Sequence, residues 1–164
     1  MRTNSVGICG QSDAREMYCR FIPIVDLLFY VSVAQSAAQV IELTQVPCQL
    51  LESEQGVNRG FKSARLHDCE STNATKVDRR LAHAPALKLK PGKTIFRVSN
   101  KNVPYELDYW LRGATFAGRA ILPSVFGGGL TTGKTQDYEV DFKHGEYVYY
   151  CPLNSTPDYQ HIVE

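Results

Sequence analysis

The sequence predicts an all-β fold, a Greek-key β-sandwich or barrel, and three observations carry that expectation. Short alternations of apolar and polar residues recur from about Val40 to the end of the chain, the period of two that marks half-buried strands. Turns such as Pro91-Gly92-Lys93 and Lys143-His144-Gly145 separate them. No heptad, internal repeat or low-complexity tail competes with this pattern, and seven or eight short strands between Gly/Pro turns are the mark of a sandwich or barrel. A length of 164 residues suits a single hydrophobic core.

The chain opens on a segment that reads as a leader. Phe21 to Ala34 is an apolar run too short for a comfortable membrane span, with Arg20 before it and the small residues of Gln35-Ser36-Ala37-Ala38 behind it. This predicts an export signal over residues 1–38, cleaved near Ala38. Asp26 is the one charge inside the run, and a start at Met17 would shorten the polar stretch ahead of it. No stable membrane span is then expected in the mature protein, which is expected to be periplasmic or secreted.

Residues 39–164 are expected to form the one domain. Val40 to Thr44 is its first alternating strand. Cys48 and Cys69 bracket a polar stretch, Gln49 to Asp68, that has little hydrophobic reason to order itself. A Cys48–Cys69 disulfide in an oxidising compartment would stabilise the fold by ~3 kcal/mol in the chain-entropy model. The expectation is a disulfide-closed insertion over about residues 48–84, with Cys151 left unpaired. Further strands follow at Ala86 to Lys90, Thr94 to Val98, Tyr105 to Leu111 and Ala120 to Val125. After a glycine loop come Thr135 to Phe142, Glu146 to Cys151 and Gln160 to Val163.

The glycine loop contains a full match to G-x-x-x-x-G-K-[ST], from Gly128 through Gly133 and Lys134 to Thr135. A phosphate-cradling loop of that kind needs a helix behind it, whose first turn adds N–H groups to those of the loop. Here Tyr138, Val140 and Phe142 alternate with Asp137, Glu139 and Asp141, so a strand follows. The match is therefore read as a Gly/Thr connection between strands, and no nucleotide is expected.

Charge excludes other classes. The formal net charge is only +1, so no general field draws the molecule onto nucleic acid. Arg59 to Lys101 carries eleven basic residues against three acids, and Thr135 to Glu164 carries six acids against one lysine. These stretches are expected to face each other and cancel. No catalytic constellation stands out: Ser124 and Ser155 lack a nucleophile elbow, and the acids of residues 137–141 fall on an exposed strand face. The chain is not expected to be an enzyme. Asn73-Ala74-Thr75 and Asn154-Ser155-Thr156 fit the N-glycosylation pattern.

The second half has a more particular arrangement. A Pro-Gly turn precedes a strand ending in Val98 and Asn100, an X-Pro-X segment follows at Pro104, and Gly145 to Cys151 reads G-x-Y-x-Y-x-C. From about Leu87 to Glu164 the chain resembles a cupredoxin, the fold of the small blue copper proteins. The resemblance implies a copper held by two His, one Cys and a weaker axial group, usually Met. At the matching positions this sequence has Tyr105 after Pro104, Asn154 three residues after the cysteine, and Tyr159 or Gln160 near the axial place. Only Cys151 remains, and neutral amide and phenol oxygens are hard, weak donors for Cu(I).

Cys151 is thus open to two readings, an inert buried thiol or a metal ligand. His161, on the last strand, is the one histidine near a possible axial position, while His144, His83 and His67 read as solvent-exposed or hydrogen-bonded. The tyrosines clustered in the second half read as core, with Tyr147 as a corner tyrosine tying a Greek-key connection. Trp110 beside Arg112 reads as core packing ahead of a recognition patch. The resulting expectation is an exported cupredoxin-like binding or interaction module without a working copper site, acting on an unknown protein or redox partner. The alternative is an electron-transfer or copper-handling protein with copper on Cys151 and unconventional ligands such as His161.

Overall fold

Alternation of buried and exposed side chains sorts the strands into two facing sheets. The computed structural model describes residues 37–164, so residues 1–36 of the expected leader, with its apolar run, Met17, Cys9 and Cys19, lie outside the described residues. The strands are β1 (Gln39–Val46), β2 (Gln49–Leu50), β3 (Leu87–Leu89), β4 (Gly92–Asn100), β5 (Leu107–Gly113), β6 (Val125–Leu130), β7 (Thr135–Phe142), β8 (Gly145–Tyr150) and β9 (Tyr159–Val163). One sheet has the order β2-β1-β4-β7 and the other β3-β9-β8-β5-β6. β1 runs parallel to β4, and β3 parallel to β9. This is the all-β sandwich of two sheets expected from the alternation.

The core lies between the sheets because every second residue points inward. Leu43, Phe96, Val98, Tyr138, Val140 and Phe142 come from the first sheet and meet Tyr109, Leu111, Tyr147, Tyr149, Tyr159 and Val163 from the second. Tyr109, Tyr138, Tyr147, Tyr149 and Tyr159 are core, as expected, whereas Tyr105 is only partly buried and Tyr150 lies on the outer face beside Trp110. Tyr147 donates from its hydroxyl to the Lys143 carbonyl at 2.9 Å and ties the β7–β8 connection in the manner of a corner tyrosine. Arg97 on β4 forms a two-pronged pair with Asp137 on β7, at 2.9 and 2.8 Å, and Lys93 stands opposite Asp141. The basic and acidic stretches do face each other across this strand pair.

Two helices occupy places where the sequence pattern pointed elsewhere. The Cys48–Cys69 disulfide is formed, but the segment it closes is ordered. A 3-10 turn over Glu52–Glu54 is followed by helix α1 (Asp68–Ala82). The buried residues of α1 are Cys69, Asn73 and Arg80, with half-buried Leu81 packed against the core, so polar residues interrupt its inward face and leave little apolar periodicity to detect. Helix α2 (Phe116–Ile121) replaces the strand expected at Ala120 to Val125. Thr115 caps it, accepting the Gly118 N–H at 2.9 Å. A Cβ on Gly113 would fall 2.3 Å from the Gly118 carbonyl carbon, so bare glycine on β5 lets α2 lie against the sheet.

The glycine-rich stretch likewise departs from expectation. Gly127 to Leu130 belongs to β6, paired with β5 through backbone groups that need no side-chain pattern. A turn then leads straight into β7. No helix follows Lys134, and the Gly128–Thr135 match has none of the architecture of a nucleotide loop.

Candidate functional site

Cys151 follows the last residue of β8 and is fully buried. Its N–H donates to Thr156 Oγ1 at 2.8 Å, which fixes the turn into β9. Its thiol donates to Asp108 Oδ1 at 3.0 Å. Burial first, and then the neighbouring Asp108 charge, push the thiol far above its ordinary pKa. The group is therefore a neutral S–H donor, whereas metal binding and nucleophilic chemistry both need the thiolate. The second Asp108 oxygen accepts the Trp110 indole N–H at 2.9 Å, so one carboxylate joins the buried thiol to the outer face of the sheet.

Tyr105, Asn154 and Tyr159, the residues that the resemblance set against copper ligands, are committed to other work. Asn154 is buried and stitches the chain. Its Oδ1 accepts the Cys48 N–H at 2.8 Å, and its Nδ2 donates to the Val46 carbonyl at 2.9 Å and Gln45 Oε1 at 3.4 Å. Tyr105 shares a hydrogen bond with the Ser63 hydroxyl at 2.8 Å. The Cys69 sulfur lies 3.7 Å from Asn154 Oδ1 and 4.0 Å from the Tyr105 hydroxyl. The disulfide thus lies near both Tyr105 and Asn154. Tyr159 donates to Glu54 Oε1 at 2.6 Å.

His161 is not near this end of the sandwich. It points inward from β9 opposite Tyr147, four residues before Cys151 on β8, or about 13 Å along a strand. Its ring stacks on Tyr147 at 4.9 Å and meets the edge of Phe142 at 4.7 Å. Neither ring nitrogen has a hydrogen-bond partner among the described residues. Burial lowers its pKa to about 4. His67, His83 and His144 are exposed, and His67 Nδ1 lies 2.7 Å from Glu70 Oε1.

These residues do not fit a type 1 copper centre. The thiol donates to Asp108, the amide is spent at both ends, the phenols are tied into hydrogen bonds, and the buried imidazole is remote. Among the described residues no group of three or more His, Cys, Asp or Glu is placed to hold a metal.

His161 has a measurable consequence for the fold. In the unfolded chain its pKa is near 6.5 and in the native core about 4. The stability contributed by the neutral ring is fully present above about pH 6.5 and drains away as pH falls toward 4, because only the unfolded state gains the proton. The His161→Phe variant is expected to be at least as stable at neutral pH. Its Tm should be flatter than that of the native protein between pH 6.5 and 4. Parallel Tm–pH curves would contradict this account.

A buried ionic cluster, for which the sequence gives no signal, secures the disulfide segment. Arg80 is 2% exposed and Glu54 3%. Arg80 Nε donates to Glu54 Oε1 at 2.8 Å, and Nη2 donates to Glu54 Oε1, the Cys48 carbonyl and the Tyr159 hydroxyl at 2.5, 2.9 and 3.1 Å. Nη1 donates to Asn73 Oδ1. Arg59 Nε reaches Glu54 Oε2 at 2.5 Å. Burial raises the Glu54 pKa, but hydrogen bonds from Arg80, Tyr159 and Arg59 outweigh it and hold the carboxyl below its ordinary value. Asn73 and Asn154, the two glycosylation matches, are both buried and hydrogen-bonded, so neither offers a free amide in the folded protein.

The outer face of the β6-β5-β8 sheet presents an aromatic ridge. Trp110 is opposite Phe126 on one side and Tyr150 on the other. Trp110 stacks on Phe126 at 5.1 Å, and the Arg112 guanidinium covers the Tyr150 ring at 5.1 Å. Trp110 is 37% exposed and Phe126 66%. The expectation of core packing for Trp110 is corrected: the alternation of β5 buries Tyr109 and Leu111, which turns Trp110 and Arg112 outward.

No protein-family model matches the chain, nor does any curated protein sequence. The chain is similar in structure to auracyanin B, at 12% identity and a TM-score of 0.48, over 80% of this chain and 93% of that one. It is also similar to a laccase from Pediococcus acidilactici, at 12% identity and a TM-score of 0.41, over 94% of this chain and 32% of the laccase. A multi-copper oxidase from Pediococcus acidilactici gives 12% identity and a TM-score of 0.38, over 94% and 31%. The chain spans about a third of the length of these two oxidases. Likeness at this level carries no ligand set over to the present residues.

Proposed function

We propose that the chain is an exported, cupredoxin-like interaction module that binds a protein partner without a catalytic step and without copper. The observation that carries this reading is the ridge of Phe126, Trp110 and Tyr150, capped by Arg112. Aromatic residues and arginine are the residue types that dominate binding energy at protein interfaces, and large apolar side chains left in water on a folded surface have a reason to be there. Tyr105, Asn154 and Tyr159, by contrast, serve the disulfide and the Glu54–Arg80 pair. Export is supported by the Cys48–Cys69 disulfide, a bond that persists in oxidising compartments.

Copper added to the oxidised protein and then removed by desalting should leave none bound and no intense visible thiolate-to-copper absorption. Retained copper with that absorption would instead make the chain an electron carrier or copper handler built on Cys151. Trp110 is the only tryptophan, so intrinsic fluorescence reports on the ridge directly. Capture of a partner from extracellular fluid should be lost in the Trp110→Ala, Phe126→Ser variant while its Tm is retained. A partner that binds this variant as well as the native protein would overturn the assignment of the ridge.

A further inference from the structure

A second recognition feature opens at the end of the sandwich where the strands give way to loops 101–104 and 131–134. It is a cleft of about 370 Å³ whose lining includes Thr44, Lys101, Asn102, Thr132, Gly133 and Lys134. Its lining contains two lysines and no carboxylate. Neither lysine has an ion-pair partner among the described residues. Two lysines lining one concavity without a carboxylate among the lining residues make it attractive to an anion.

The walls are fixed in advance. Asn100 is buried, and its side chain is fully used: Nδ2 donates to the Tyr105 and Leu130 carbonyls, and Oδ1 accepts the Val103 N–H. Its backbone exchanges bonds with the other loop, N–H to the Lys134 carbonyl at 2.9 Å and carbonyl from the Gly133 N–H at 2.8 Å. Thr132 Oγ1 adds a bond to the Val103 carbonyl. Both loops are therefore held against each other before any ligand arrives, so little ordering entropy opposes binding.

We propose that this cleft binds a phosphate group. Lysines act as point charges toward phosphate oxygens, whereas a planar carboxylate is better matched by the arginine fork. A tetrahedral dianion can turn oxygens toward two ammonium groups and still present one to the Asn102 amide. The arrangement owes nothing to a helix N-terminus, although Gly133 and Lys134 belong to the Gly128–Thr135 sequence match. One carboxylate borders the cleft: Glu52 Oε2 accepts the Thr44 N–H at 2.6 Å, and its charge opposes the ligand's.

The test is a titration of the oxidised protein with inorganic phosphate and, separately, with phenyl phosphate, followed by amide NMR shifts against sodium chloride at matched ionic strength. Saturable shifts confined to residues 101–102 and 132–134 are expected. Lys134→Gln and Lys101→Gln should each weaken binding about tenfold, the loss of one charge-assisted hydrogen bond. Glu52→Gln should tighten it, and Lys88→Gln, whose partner is Glu164, should leave it unchanged. Tighter binding of inorganic phosphate marks the free ion as the ligand, and tighter binding of phenyl phosphate marks a phosphomonoester group; either supports the site. Shifts that do not saturate, that chloride reproduces, or that survive Lys134→Gln would overturn it. The ridge variant should bind phosphate normally, so this site and the protein-binding surface stand or fall separately.

Discussion

Arg80→Met should lower the free energy of unfolding by about 3–5 kcal/mol, the range for breaking a buried ion pair from one side. The loss does not come from the Coulomb term alone. Arg80 bonds Glu54, Asn73, Tyr159 and the Cys48 carbonyl at once, so it ties α1 to the turn after β1 and to the start of β9. Its removal strands the Glu54 carboxylate at 3% exposure, with only Arg59 and the Tyr159 hydroxyl to answer it. Adding Glu54→Gln to Arg80→Met should therefore restore part of the loss, a non-additivity that a double-mutant cycle in urea measures.

The sign of the pH dependence follows from the same contacts. In the native protein Glu54 has a lowered pKa, so its stabilising contribution is present above the ordinary carboxylate range and is lost as pH falls through the native value. Without Arg80 the desolvated carboxyl prefers its proton, and acidification becomes favourable at that group. The gap in stability between native and variant should narrow as pH falls from neutral to about 4.5. A constant gap, or a loss under 1 kcal/mol on the scale set by buried pairs, would show that the cluster contributes little.

Removing the Cys48–Cys69 bridge should cost about 3 kcal/mol, the chain-entropy value for a loop of this length, here 21 residues in sequence separation. The paired Cys48→Ala, Cys69→Ala variant is the cleaner reagent, since reduction alone leaves two thiols beside Asn154. A midpoint shift in urea reports the cost. Among the described residues Cys151 is the free cysteine, and it is buried with a raised pKa. A thiol reagent should therefore find it unreactive in the native mature protein and available once in denaturant without reductant. Rapid native labelling would place that sulfur in reach of solvent and undo the account of its pocket.

How much of this was legible depends on whether a residue's role shows in its hydrophobicity. The strands from Thr94 to Asn100 and Thr135 to Phe142 announce themselves because a sheet with one wet face must alternate. Cys48 and Cys69 were legible from cysteine arithmetic, and Tyr147 from its place near a strand start. Helix α1 was not, because Asn73 and Arg80 are two of the three residues it fully buries, and they interrupt the short apolar stripe that ends at Leu81. The Glu54–Arg80 pair joins residues 26 apart through a contact that neither side chain advertises. At the positions that the resemblance set against copper ligands, the absence of imidazole was visible in Tyr105 and Asn154. Their new employment around the disulfide was not, since it depends on where α1 carries Cys69. Trp110 fell on the wrong side of the same limit: alternation divides β5 into two faces, and choosing the wet one needs the neighbouring strands.

β9 lies inside its sheet, between β3 and β8, although it is assembled from residues 159–163. Until those residues emerge from the ribosome, β3 has no neighbour and the Tyr147, Phe142 and Phe96 rings lack the imidazole that packs on them. The second sheet can therefore close around β3 only once residues 159–163 are in place.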